Sequence, residues 1–446
     1  MLPKSHKKSS ETLVDIHQAI EMLIERIDAV ERTVLLKPLR IEIRIKPIDQ
    51  LCWLEAQQNP IKIFGASSDN ALAIAGIGAA KDVCIEKLHS YEKVMKQLRA
   101  YLSPQYPYMQ WYGGFSFNNR SASSWNKFGA GRFIIPQVEL ARNGKKMMLA
   151  CNLIGKFDKK ALIERIRQLK VSGVRNRQGN VVVKNRQDQP NLGEWTKSVT
   201  QVLKDIQLKR LEKVVLARQT RITFKEVLNP WVILKRLIDV TPSSYHFAFQ
   251  FGSNVFVGAS PECLYRRHGR NLQSQALAGT KPRATKSSVL LNSLKDLHEH
   301  RIVVDAIKEA LAPLSVGMKF PTTPSVVTLT NGHHLNTPFA VLLKDGVDDG
   351  DILKVLHPTP ALGGKPKAFA LKRIKTLEPF DRGWYAGPVG FVGLDWAEFV
   401  VAIRSGLING NKISVFAGAG IVQGSQAADE WDEIENKISN FQKILT

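Results

Sequence analysis

Apolar residues mark out the elements before any chemistry is considered. Leu13, Ile16, Ile20, Leu23 and Ile27 recur at helical spacing behind Ser9-Ser10, a candidate N-cap. Leu39–Ile45 alternates apolar and polar positions and predicts a half-buried strand. Ile61–Phe64 and Ala71–Ile77 predict strand-turn-strand, and Phe133–Leu140 with Met147–Leu153 predict a hairpin about Asn143-Gly144. Helical spacing returns at Lys159–Leu169 and Trp195–Leu208. Strands are then predicted at Lys213–Arg218, His246–Phe251, Asn254–Gly258 and Leu264–Arg267, followed by a long helix near Leu290–Leu311. The last block predicts strands near Tyr385–Val392, Glu398–Leu407 and Lys412–Ala419, closed by a helix at Glu430–Leu445. Runs of hairpin-connected strands with interspersed helices predict a mixed α/β (α+β) protein with large antiparallel sheets. No linker, repeat or low-complexity tract divides it, so residues 11–446 are expected to form one intertwined unit behind a disordered basic tail, residues 1–10.

Composition narrows this little: 44% hydrophobic and 23% charged residues are ordinary for a globular enzyme. No apolar run is long enough for a membrane helix, and the basic start has no apolar stretch behind it, so no secretory leader is expected. Cys52, Cys84, Cys151 and Cys263 are scattered, which predicts reduced thiols and a cytoplasmic setting. A net charge of +23 raises nucleic-acid binding as a rival. The densest basic stretch, residues 155–190, nearly lacks aromatic stacking platforms, and no nucleic-acid-binding motif accompanies it. No nucleic-acid or membrane partner is therefore expected.

Candidate chemistry is acidic. Asp296 and Glu299 share one helix face, as do Glu430, Glu433 and Lys437. Two carboxylates from separate helices, with substrate oxygens and water, would make a Mg²⁺ site, although spacing alone equally describes surface charge. His298 and His300 flank Glu299 without the H-E-x-x-H zinc pattern and read as packing groups. Glu262 ends Gly258-Ala-Ser-Pro-Glu262, either a plain turn or a carboxylic acid at the lip of a sheet. Lys213 opens the apolar strand Lys213-Val-Val-Leu-Ala-Arg218 and either snorkels or, desolvated, serves as a base. Glycines at 279, 387, 390, 418 and 420 form turns that could offer N–H groups to an anion, but none matches a dinucleotide or nucleoside-triphosphate fingerprint. Arg404, set in the apolar run Val401-Ala-Ile-Arg404, needs a carboxylate partner from protein or ligand.

In order, these pieces resemble the chorismate-utilising enzymes, and within them the isochorismate synthase branch. The residues that carry the likeness are Lys213-Val-Val-Leu-Ala-Arg218, Gly258-Ala-Ser-Pro-Glu262, Ala278-Gly279-Thr280, Lys295-Asp296-Leu-His-Glu299-His300, His357-Pro-Thr-Pro-Ala-Leu-Gly-Gly-Lys-Pro366, Tyr385-Ala-Gly-Pro-Val-Gly390, Val401-Ala-Ile-Arg404, Gly418-Ala-Gly420-Ile421 and Glu430-Trp-Asp-Glu433 with Lys437. The family signature spans about residues 195–446, and Trp125-Asn-Lys-Phe-Gly129 and Phe133–Leu140 extend the likeness toward the N-terminus.

The resemblance implies two large, mostly antiparallel sheets packed face to face with helices outside. It implies Mg²⁺ on Glu299 and Glu433, with Asp296 and Glu430 as neighbouring carboxylates. Arg404, Tyr385, Gly279, Thr280, Gly420 and Lys437 would bind chorismate, Lys213 would be the general base and Glu262 the general acid. Anthranilate synthases usually carry Gln at the position of Lys213, and aminodeoxychorismate synthases Lys at that of Ala278. Water is therefore the expected nucleophile, with no glutaminase subunit. Salicylate synthases, which also eliminate pyruvate, share both features and remain the alternative. Cys263 and Asn331-Gly-His-His-Leu-Asn-Thr337 depart from the family pattern; neither is expected to touch a catalytic residue.

Overall fold

The 446-residue chain was analysed as a computed structural model, which describes residues 13–118, 123–171, 181–281, 283–329 and 332–445. Its strands form two antiparallel sheets, of twelve and ten strands among the described residues. The larger sheet runs from Val34–Ile45 at one edge through Lys146–Lys156, Val138–Asn143, Leu72–Ile77, Ile61–Ala66, Tyr245–Phe251 and Asn254–Ser260. It continues through Ser405–Asn409, Lys412–Ile421 and Lys213–Phe224 to Gly364–Lys365, with Val183–Gln189 also on Lys213–Phe224. The smaller sheet runs Ser315–Lys319, Gly332–Leu343, Asn271–Lys281, Cys263–His268, Trp396–Val401, Pro388–Val392, Trp111–Phe115, Gly131–Ile135 and Lys81–Ile85, with Ser325–Leu329 also on Gly332–Leu343.

One continuous buried core takes side chains from both sheets. Trp384 shows how it closes: its ring meets Phe249, Phe251 and Phe256 of the larger sheet and Phe128 of the loop after Trp125. Edge-to-face contacts of this kind add specificity to area burial. Two outer helices matter for function. Leu294–Leu311 packs on the strand Asn271–Lys281, and Ala427–Leu445 packs on Lys412–Ile421 through Ile434, Ile438 and Phe441.

Several apolar runs read as single elements are divided, each for a physical reason. Phe133–Leu140 is two strands in different sheets, because Pro136 cannot donate to a ladder and the chain crosses over there. Glu398–Leu407 likewise splits into Trp396–Val401 and Ser405–Asn409, one in each sheet. Arg404 is therefore not inside a strand; it sits at the crossover with φ +50°, a left-handed conformation uncommon for a non-glycine residue. Tyr385 also precedes its strand, which begins at Pro388. The long helix breaks after Ser287–Leu291, and Ser293 caps the second part by accepting from the Asp296 N–H at 3.3 Å. The first helix, Ile16–Asp28, is capped by Asp15 rather than by Ser9-Ser10, which, like the tail 1–10, lies outside the described residues. The strand Val183–Gln189 has no apolar face to betray it and is held by polar contacts, Arg186 on Glu435 and Asp188 on Thr220.

Candidate active site

Lys213, Glu262, Gly279, Thr280, Asp296, Glu299, Tyr385, Arg404, Gly420, Glu430, Glu433 and Lys437 all line one cavity of about 160 Å³. The fold brings them together from separate elements. Lys213 starts a strand whose neighbour carries Gly418 and Gly420, in the register Val215 opposite Gly420. Glu262 follows Asn254–Ser260 at the point where the chain leaves the larger sheet for the smaller. The two helices contribute the carboxylates, their apolar stripes facing the sheets and their acidic stripes the cavity.

Four ion pairs organise the charges. Lys213 Nζ donates to Glu299 Oε1 at 2.8 Å, with the lysine side chain only 1% exposed. Lys437 Nζ donates to Glu433 Oε1 at 2.6 Å and to the Gly418 carbonyl at 2.8 Å. Lys281 lies 2.9 Å from Asp296 Oδ2, and Lys295 lies 2.8 Å from Glu430 Oε1. Gly420 makes the first pair possible, since a Cβ there would stand 2.5 Å from Glu299 Oε1 and 3.0 Å from Lys213 Cε.

Among the described residues, two charged groups of the cavity have no opposite charge within ion-pair distance: Glu262 and Arg404. Burial pushes the Glu262 carboxyl up to about 7, against a partial pull from Lys213. Burial also lowers the Arg404 guanidinium to about 10. The protein contact of Arg404 is His334, whose Nε2 lies 3.4 Å from its Nη2 while Nδ1 lies 3.0 Å from Thr280 Oγ1. Burial, reinforced by Arg404, takes His334 down to about 3, so the imidazole is neutral and can accept from arginine. Tyr385 is buried and stacks on Phe416 at 5.1 Å.

Lys281, Lys295 and His334 receive no role from the sequence, although Lys295 and His334 stand in segments named there. The lysines adjoin Thr280 and Asp296 in motifs already singled out, so their neighbours were the available signal. His334 lies in the segment noted for departing from the family pattern; it lines this cavity against Arg404 and Thr280. His298 is exposed, while His300 is buried with Nε2 2.8 Å from Thr337 Oγ1. A larger cavity, about 700 Å³ and mostly apolar, lies between the sheets against Phe64, Phe247 and Phe391. It contains none of the twelve residues above, so size does not identify the reactive site here.

Residues 24–446 match the chorismate binding enzyme family, and the chain belongs to it. Among curated relatives it is 35% identical to the isochorismate synthase MenF of Bacillus subtilis over 73% of this chain and 72% of the relative. It is 30% identical to the salicylate biosynthesis isochorismate synthase of Pseudomonas aeruginosa, over 98% of this chain and 95% of that one. The solved structure of MenF, the menaquinone-specific isochorismate synthase from Escherichia coli, superposes with a TM-score of 0.86 at 27% identity, covering 97% of this chain and all of the other.

Proposed function

We propose that this chain is an isochorismate synthase, dependent on Mg²⁺, which adds water to C2 of chorismate and expels the C4 hydroxyl. One observation carries the reading: among the described residues, every other charge of the cavity is paired, while Glu262 and Arg404 have no opposite charge within ion-pair distance. A buried guanidinium without a carboxylate is costly unless a ligand supplies one. Arg404 therefore receives the pyruvyl carboxylate, with Tyr385, Thr280, Lys437 and the backbone at Gly279 and Gly420 around it.

Hydroxide is a poor leaving group, so the departing oxygen needs a proton. With its carboxyl raised to about 7, Glu262 retains the proton it must give. Lys213, released from the ion pair with Glu299 and relieved of its ammonium proton first, takes a proton from water as the oxygen bonds to C2. The ring double bonds shift, the C4–O bond breaks, and Glu262 protonates the leaving oxygen, so atoms and charge balance.

The carboxylates suit a hard cation. No group of three or more His, Cys, Asp or Glu side chains forms a self-sufficient cage among the described residues. Mg²⁺ needs none, since one or two carboxylates plus substrate and water oxygens complete its octahedron. Glu299 and Glu433, with Asp296 and Glu430 beside them, would hold it, and when bound it would neutralise the ring carboxylate. Opposing its burial, Lys437, Lys295 and Lys213 keep the Glu433 carboxyl below the usual value and thus ionised, as a ligand must be.

A lysine at 213 favours water over ammonia, so no glutaminase partner is invoked. The four cysteines form no disulfide, which suits a cytoplasmic setting, and no helix among the described residues is long and apolar enough to cross a membrane. Incubation with chorismate and Mg²⁺, followed by chromatography, should give isochorismate alone, and none with EDTA. Salicylate plus pyruvate would move the chain to the pyruvate-eliminating branch; unchanged chorismate would overturn the reading. Lys213→Ala should still bind chorismate yet lose hydration.

A further inference from the structure

The four cavity carboxylates that face the metal position already have cations. Asp296, Glu299, Glu430 and Glu433 each carry one lysine, so the cluster is electrically balanced without a metal. The four lysines are not equivalent. Lys213 is 1% exposed and sealed in, and Lys437 is tied down a second time by the Gly418 carbonyl. Lys281 and Lys295 have side chains 33% and 40% exposed, whereas the carboxylates they touch are 7% and 3% exposed. The cations at the mouth can therefore leave for water while their carboxylates cannot.

The attachment of Lys281 is also light, whereas Lys295 Nζ donates a directed hydrogen bond to Glu430 Oε1 at 2.8 Å. Asp296 Oδ2 is buried and has no well-directed hydrogen bond, only the ion contact with Lys281. Lys295 stands on one acidic helix and reaches Glu430 on the other, spanning the two elements that would grip a metal. A long flexible stem lets an ammonium swing out at little cost, unlike a guanidinium fork.

We propose that Lys281 and Lys295 are built-in counter-cations, which occupy the metal-facing carboxylates in the substrate-free enzyme and must swing out before a divalent ion can enter. This rests on the metal reading above. An ammonium within 3 Å of a carboxylate that neighbours the metal ligands repels an incoming dication through a poorly screened medium, so the lysines compete with the metal. Their charge sets how tightly the free enzyme holds divalent cations and keeps the buried carboxylates paired meanwhile.

The experiment is Mn²⁺ binding to substrate-free protein, read as loss of the free-ion signal in electron paramagnetic resonance. Lys295→Gln and Lys281→Gln should each tighten binding about tenfold. Lys295→Arg, which keeps the charge and leaves less readily, should not tighten binding. Lys354→Gln, which breaks an exposed pair with Glu92 elsewhere, should change nothing. Circular dichroism checks that the variants fold, and the two glutamine variants back each other up. Unchanged or weaker Mn²⁺ binding in both folded variants would overturn the proposal, as would tightening by Lys295→Arg. Failure of the functional reading shows separately: wild-type protein would leave chorismate unchanged, whatever the lysine variants do to Mn²⁺.

Discussion

Two buried carboxylates, Asp349 and Glu262, sit in the same molecule under opposite conditions. Asp349 is fully buried at the start of the helix Asp349–Leu356, and its oxygens are crowded with donors. Arg267 reaches it with Nε and Nη2, both at 2.7 Å, Arg99 at 3.1 Å and the Tyr265 hydroxyl at 3.3 Å. Glu262 is nearly as buried and has no ion-pair partner among the described residues. A buried charge with every lone pair answered ties helices to a sheet; one left unanswered holds its proton, and that is chemistry in waiting.

Exchanging each carboxylate for its amide should separate the two roles. Glu262→Gln should lower kcat by about 10³-fold, the scale of a lost general acid, with urea unfolding little changed. Asp349→Asn should lower stability by roughly 3 kcal/mol, since it leaves arginine charges buried against a neutral amide, and spare the kcat of the folded fraction. Steady-state kinetics and denaturation on both variants make the check. If Glu262→Gln unfolds as Asp349→Asn does, the contrast collapses.

Arg404 extends the comparison to cations. Arg404→Met removes a charge that no protein carboxylate needs, so its melting temperature should hold. Its kcat/KM should fall on the order of 10²-fold, the loss expected when one member of a buried charge pair with the substrate disappears. A large drop in melting temperature with intact kcat/KM would make Arg404 a structural residue.

The raised carboxyl of Glu262 also fixes a pH dependence. The acid must be protonated to act, so kcat should fall as pH rises beyond about 7. Stability follows the same proton. The folded state binds it more tightly than an ordinary carboxyl of 4.5, so this contribution is complete below 4.5, declines up to about 7 and is flat above. Glu262→Gln should abolish both slopes. Equal pH profiles in mutant and wild type would show that another group titrates.

Periodicity in the sequence located the helix faces of Asp296, Glu299, Glu430 and Glu433, because a 3.6-residue repeat reports which side is buried. It could not say which charges pair, since Lys281 and Lys295 meet their carboxylates across elements. Strand positions were legible, but sheet membership was not. Phe133–Leu140 and Glu398–Leu407 stay largely buried on both sides of their crossovers, even at the polar Glu139, Glu398 and Ser405, so no exposed polar stretch sets off Pro136 or Arg404. The strand Val183–Gln189 was hidden for the opposite reason: its contacts are polar and its pattern imitates a loop. The roles of Lys213, Glu262 and Arg404 came from resemblance; residue chemistry alone left each open.

The finest distinction concerns His334, which touches Arg404 and Thr280 without any charge of its own. With the ring driven down to about 3, its Nε2 is a lone-pair acceptor for the guanidinium and its Nδ1–H donates to Thr280 Oγ1. Such a residue positions Arg404 rather than binding by charge. Removing a hydrogen bond to a charged group costs about 1.5 kcal/mol or more, so His334→Gln should raise KM for chorismate on the order of tenfold and leave kcat nearly alone. The pH profile of KM is the more telling readout. A ring that is neutral throughout working pH contributes no inflection between pH 5 and 8, in wild type or variant. An inflection near 6.5 that His334→Gln removes would mean that the imidazole titrates beside Arg404, and the acceptor role would then be wrong.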